Sequence, residues 1–194
     1  MKYIAFIGGG KSQVPFIKAA IKLKYQVIIF DKNKNSPAVN LSSFFFQIST
    51  LDIDKLFKKC ISLSHKYNIV GVATYCASKN ALIATAKICT HLNLPSFSLS
   101  AVELVHNKDL MKKKFKNANI NSPAYLLSNN LFEIFNFINK NKNEYIIKPS
   151  SGSRGSAGVS ILKDINNLED YFYLAKRNSL DGKVIIEEFI KGQE

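Results

Sequence analysis

The stretch Glu144–Leu162, EYIIKPSSGSRGSAGVSIL, reads strand, loop, strand. Tyr145, Ile146 and Ile147 are aromatic or β-branched and lead into Lys148-Pro149, while Val159, Ser160, Ile161 and Leu162 form a second extended run. Between them lie Gly152, Gly155 and Gly158, four serines including Ser151, Ser153 and Ser156, and Arg154. Glycine permits positive φ and close backbone approach, so successive N–H groups can line one concavity and hold an anion. Serine hydroxyls add donors, and Arg154 and Lys148 add positive charge suited to phosphate oxygens. The plainer reading is a flexible Gly/Ser hairpin tip. A mere linker, however, has no need of a lysine closing an apolar strand, and the loop reads as a phosphate cover.

Upstream, the chain alternates. Tyr3–Ile7 is a short apolar run ending at Gly8-Gly9-Gly10, consistent with a buried parallel strand. A helix follows from about residue 12 to 24, with Pro15 in its first turn, where a missing N–H is tolerated. Val27–Phe30 is the next strand and ends at Asp31, which completes a βαβ unit. Residues 32–43 read as a loop and Phe44–Ile48 as a third strand. A helix over 52–66 precedes a fourth strand at 69–74, and Ser78 is placed to cap a helix running to His91. This alternation predicts a doubly wound, Rossmann-like parallel sheet over residues 1–102.

Beyond a boundary near 101–106 the pattern changes. Helices are expected at 108–116, 131–140 and 168–176, with strands at 125–127, in the glycine-rich hairpin and at 183–189. That is an α+β unit over residues 103–194. Leu94-Pro95-Ser96 is expected to open a short extended segment and connector.

Composition narrows the function. The 194 residues are 46% hydrophobic with 14 Phe and 8 Tyr, which excludes a disordered chain. No apolar run reaches bilayer length, and MKYIAFIGGG is too short for a signal-peptide core, so a cytoplasmic location without membrane contact is expected. Cys60, Cys76 and Cys89 show no CxxC spacing, which argues against a disulfide framework or a zinc site. The charge of +13 comes from scattered lysines, read here as compositional bias; no nucleic-acid partner is expected. The densest run, Lys112-Lys113-Lys114, reads as a solvated helix face.

Gly8-Gly9-Gly10-Lys11-Ser12 imitates two motifs. A P-loop would need glycine where Ala5 stands. A dinucleotide fingerprint has Gly8, Gly10 and Asp31, yet Gln13 occupies the third glycine's place. A nicotinamide-dependent oxidoreductase, and a non-catalytic nucleotide-binding protein, stay open as alternatives. The loop TYCASKN leaves the carboxyl end of the fourth strand, where open α/β sheets bind ligands. Tyr75, Ser78 and Lys79, with Gly9, Gly10 and Gln13, are candidates for a substrate site there, and a capped helix start is the competing reading.

The chain closes with VIIEEFIKGQE, in which apolar residues flank the consecutive carboxylates Glu187 and Glu188. Together, IIKPSSGSRGSAGV and VIIEEFIKGQE resemble the ATP-grasp superfamily, with a loop length most like the carbamoyl-phosphate-synthase-like branch. IAFIGGG, VIIFD and HNKDLMKKKF are similar to the domain that precedes ATP-grasp in those proteins and to its junction. The resemblance implies that Lys108 and Lys148 reach the nucleotide phosphates, with the glycine-rich loop as cover. It assigns residues 187–190 to the adenine connector: Glu187 by the base, Glu188 offering its carbonyl, Phe189 between, and Ile190 offering its N–H. Glu194 matches the acid at the ribose. The implied activity is a ligase in which a carboxylate attacks the γ-phosphate of ATP and an amine or similar nucleophile captures the acylphosphate. Small carboxylate and amine substrates are implied, and a homodimer is left open. Magnesium ligands, an acidic residue and a later Glu-x-Asn, are expected beyond residue 194, so the chain is expected to be truncated and without turnover as it stands.

Overall fold

The computed structural model describes residues 1–76, 78–140, 144–152 and 156–192. Two compact units, Met1–Val102 and Glu103–Glu194, divide the chain.

In the first unit, β1 (Lys2–Ile7), β2 (Gln26–Phe30), β3 (Phe44–Phe46) and β4 (Asn68–Ala73) form a wholly parallel sheet in the order β3-β2-β1-β4. Parallel pairing requires crossovers that cover both faces, which explains why these strands are almost continuously apolar. Alternate residues go to opposite sides. Ala5, Ile7, Ile28 and Phe30 pack with Leu56, Cys60 and Leu63 of α2 (Ile53–Ser64) and Ala81, Ala84, Ile88 and Cys89 of α3 (Lys79–His91). Phe6, Val27 and Ile29 pack with Ile17 and Ala20 of α1 (Val14–Lys22), which a short 3-10 turn at Lys11–Gln13 precedes. Asp52 caps α2, accepting from Lys55 N–H at 3.2 Å. The expected elements are present, with ends moved by one to three residues.

The second unit is an antiparallel sheet, β5-β8-β6-β7, built from β5 (Tyr125–Ser128), β6 (Tyr145–Pro149), β7 (Ser160–Leu162) and β8 (Val184–Glu188). One face packs on α6 (Leu131–Asn139) and α7 (Leu168–Arg177): Tyr145 and Ile147 of β6 and Val184 and Ile186 of β8 meet Ile134, Leu168, Phe172 and Ala175. The two-residue strand period then sends Lys148, Ile185 and Glu187 to the other face. α5 (Lys108–Asn117), capped by Asn107 accepting from Leu110 N–H at 3.1 Å, brings Lys112 to that face.

Two expectations need correction. Where a connector was expected, Leu99–His106 is a helix, α4, running across the division at 102/103. Its start is fixed by Ser98, whose Oγ accepts from Ala101 N–H at 3.1 Å. Secondly, Lys112 does not lie on a solvated face; its side chain is 7% exposed. Lys113, next to it, is exposed and pairs with Asp109 one turn back.

Candidate functional site

Three lysines and one carboxylate gather on the sheet face opposite α6 and α7. Cross-strand register sets Lys148 opposite Ile185 and Ile146 opposite Glu187, so Lys148 and Glu187 are diagonal neighbours. Lys148 Nζ donates to Glu187 Oε1, and Lys112 Nζ lies 2.6 Å from Oε2 of the same carboxylate. Glu187 is 9% exposed at its side chain and Lys148 18%. Lys112 also sits over the Tyr125 ring, 5.5 Å from its centroid. Burial first, and then the charges of Lys112 and Lys108, push the Lys148 ammonium down to about 8. Burial likewise lowers Lys112 and Lys108, with Asp181 partly opposing the shift at Lys108. Positive charge in excess of its counter-ions, held out of water, suits a multiply charged anion.

The root of the glycine-rich loop sits beside this cluster. Ser150 and Ser151 follow β6, and Lys108 N–H donates to Ser150 O at 3.3 Å while Asn107 bridges to Ser151. Ser150 Oγ donates to Asp181 Oδ1 at 2.5 Å, as does Ser179 Oγ at 2.8 Å, and Lys183 N–H reaches the same oxygen at 3.1 Å. Burial pushes the Asp181 carboxyl up, but the hydrogen bonds from Ser150, Ser179, Lys183 N–H and Ser151 outweigh it and hold it at about 2. The loop thus starts from a fixed base made by the α7–β8 connector. At its far end Gly158 has φ +75°, and a Cβ there would lie 2.9 Å from Asn178 Cβ and 3.2 Å from Leu174 O. Gly152, with φ +76°, packs against the Leu180 side chain. Ser156 is exposed; Ser153, Arg154 and Gly155 lie outside the described residues.

After β8, Glu188 N–H donates to Ala124 O at 2.9 Å and Phe189 N–H to Glu144 O at 2.8 Å, which holds the connector in line with the sheet. Ile190 follows with its side chain exposed, and Lys191 pairs with Glu144 at 2.7 Å. Glu194 lies outside the described residues. The carboxylate of Glu187 points to two lysines rather than standing alone.

The first unit's candidates are placed differently. Gly9 N–H donates to Asp31 Oδ2 at 2.7 Å, and Asn33 N–H to Oδ1 at 2.8 Å, so both Asp31 oxygens hold backbone at the turn. Gln13 is buried, with Nε2 donating to Ile7 O at 3.0 Å and Oε1 accepting from Tyr75 N–H at 3.0 Å. Gln13 therefore braces β1 against the loop after β4 through both ends of its amide. Gly10 precedes the 3-10 turn, and a Cβ there would meet nothing within 4 Å. Ser78 stands at the start of α3 without a side-chain capping bond, and Lys79 is exposed. Tyr75 is 63% exposed and stacks on Phe16 with centroids 4.7 Å apart. Phe16 and Asp181 were not singled out from sequence, and Lys112 was read only as part of a solvated face; each owes its place to partners distant in the chain.

Among the described residues no three His, Cys, Asp or Glu side chains converge. No helix among them is long and apolar enough to cross a membrane.

No family model matches the chain. It is 25% identical over 191 residues to the formate-dependent phosphoribosylglycinamide formyltransferase of Francisella tularensis, covering 96% of this chain and 48% of the relative. The crystal structure of phosphoribosylglycinamide synthetase from Anaerococcus prevotii superposes with a TM-score of 0.67 at 26% identity, over 98% of this chain and 46% of the other. N5-carboxyaminoimidazole synthetase from Staphylococcus aureus, solved with ADP, gives a TM-score of 0.76 at 19% identity over 98% and 48% of the two chains. In sequence and fold the chain is similar to ATP-grasp ligases. The ATP-grasp likeness runs through both units, and the chain spans about half the length of the curated relatives it matches.

Proposed function

We propose that residues 103–194 bind the base and phosphates of ATP as part of an ATP-dependent ligase, with residues 1–102 as the preceding domain that contributes to the second substrate's site. The observation that carries this reading is the buried lysine excess around Glu187, set beside the anchored root of a glycine-rich loop. Lys148 and Lys108 would neutralise phosphate oxygens, and Ser151, Gly152, Ser153, Arg154, Gly155, Ser156 and Gly158 would supply donors along the cover. Glu188 O and Ile190 N–H would read the adenine edge, with Phe189 between them and Glu194 at the ribose. In the first unit, Gly9, Gly10, Gln13, Tyr75, Ser78 and Lys79 are the proposed substrate contacts.

The ligase chemistry balances in two steps. A carboxylate oxygen forms a bond to the γ-phosphorus as the bond to ADP breaks; an amine then attacks the acyl carbon and phosphate leaves, with one proton lost from the nitrogen. Magnesium, when bound, would offset phosphate charge. Small carboxylate and amine substrates, a cytoplasmic setting and a homodimer belong to the same proposal. Calorimetric titration of the chain with ADP and, separately, NADH tests it. ADP binding with NADH absent or far weaker is the expected result; micromolar NADH binding abolished by Asp31→Ala would overturn it.

A further inference from the structure

The Glu187 carboxylate has one lysine more than it needs. Each oxygen serves a different cation, Oε1 taking Lys148 and Oε2 taking Lys112 at 2.6 Å. The two lysines are not equivalent. Lys112 is the more buried, at 7% against 18% side-chain exposure, and sits over the Tyr125 ring. Lys148 is the last residue before Pro149 and the Ser150–Ser151 root of the loop, and is the more exposed of the pair. Lys112 follows Lys108 by one helical turn on the same helix, and the charges of both bear on Lys148.

A buried carboxylate stripped of its only counter-ion is strongly disfavoured. With a single lysine, Glu187 would hold Lys148 and resist giving it up. With two, one can leave while the carboxylate remains neutralised. We propose that Lys112 is a positioning residue that keeps Glu187 paired permanently, so that Lys148 exchanges Glu187 for a phosphate oxygen when nucleotide binds. This rests on the nucleotide reading above. The face is completed by Tyr125 from β5, Ile185 from β8 and Lys108 from α5, and Asp181 in the α7–β8 connector acts on Lys108. Among the described residues, the ion pairs of Glu187 are those with Lys112 and Lys148.

The test uses the full chain with ADP as probe, carbon-13-labelled at lysine, together with Lys112→Gln, Lys112→Arg, Glu187→Gln and the Lys112→Gln/Glu187→Gln double variant. Lys112→Gln should weaken ADP binding by about tenfold or more, because Lys148 becomes the sole counter-ion of Glu187. In the Glu187→Gln background the same substitution should cost less than about threefold, since no carboxylate is left to strand. Lys112→Arg should retain binding. In the wild-type chain ADP should shift the side-chain resonance of Lys148 and raise its titration midpoint, leaving Lys112 in place. An equal loss from Lys112→Gln in both backgrounds would mean a purely structural role and overturn the proposal. Should Lys112→Gln fail to fold, the resonances of the wild-type chain decide, and movement of Lys112 or silence of Lys148 on ADP binding overturns the exchange. If no amount of ADP binds or perturbs any lysine, the nucleotide reading falls and the exchange falls with it.

Discussion

Lys148 is the residue on which most depends, and its charge state is tunable in an accessible range. Its ammonium is lowered to about 8 by burial and by the nearby cations Lys112 and Lys108. A lysine depressed in the folded state binds fewer protons than in the unfolded chain between about pH 8 and 10.5, so folding stability from this group rises with pH across that window. Nucleotide affinity should run the opposite way. An anion favours the protonated lysine, so binding should fall as pH passes upward through about 8, with proton uptake on binding measurable by calorimetry in buffers of different ionisation heat. A flat affinity from pH 7 to 9.5 would place the phosphates elsewhere. The thiols give an independent check at this scale. Burial, and then the neighbouring Cys89, push Cys60 up to about 12, and burial raises Cys89 too, whereas Cys76 is partly exposed. An aromatic disulfide reagent at pH 8 should therefore label Cys76 alone in the folded chain and all three after denaturation. Sequence pointed to Lys148 because it ends an apolar strand directly before a glycine-rich loop. Lys112 was not legible: helix period places it one turn from Lys108, but whether that stripe meets solvent or a carboxylate depends on a strand far along the chain.

At the scale of elements, the glycine-rich loop is only as well placed as its base. The α7–β8 connector holds that base through Asp181, which gathers Ser150, Ser179 and the Lys183 N–H. Asp181→Asn removes a charge-assisted acceptor, a bond class worth about 1.5–3 kcal/mol when intact, discounted here because Asp181 is partly solvated. Faster hydrogen exchange at Ser150 and Ser151 is expected, with the parallel sheet of the first unit unchanged; unaltered exchange would show that the strand alone sets the loop's root. The same carboxyl is depressed in the folded state, so its contribution is present above pH 4 and lost as pH falls toward 2, a loss that Asp181→Asn should remove. Gly158→Val combines strain at φ +75° with a collision against Asn178 Cβ and should lower the thermal midpoint clearly, while Gly10→Ala, which would meet nothing, should not. The hairpin, the strands and most helices were readable because each carries a period of two or of 3.6 together with its own caps, as at Asp52 and Asn107. α4 was passed over because LSAVELVH has no sustained apolar stripe and Ser98 lay hidden among serines. Asp181 was likewise unreadable: an Asp-Gly pair in a turn gives no sign that Ser150, at the end of a strand 31 residues back, will find it.

For the molecule as a whole, the chain divides into two compact units. The parallel sheet was predictable from strand runs too apolar to have a wet face, and the antiparallel sheet from the hairpin. Strand order was not, because it depends on which crossovers pack best and leaves no local mark. At the glycine turn of the first unit, Asp31 and Gln13 hold backbone groups. The charge cluster of the second unit is what remains for an anion, and the central claim is that the anion's phosphates meet Lys148. The most direct test is calorimetric titration of ADP into the wild-type chain, Lys148→Ala and Lys113→Ala. Lys148 is mostly buried, where a charge-assisted hydrogen bond contributes about 1.5–3 kcal/mol, so its loss should weaken binding roughly ten- to a hundredfold. Lys113 is exposed and paired with Asp109, so its loss should change affinity by less than about twofold. Equal losses from both substitutions, shrinking together as salt is raised, would show a diffuse attraction and contradict a phosphate site at Lys148.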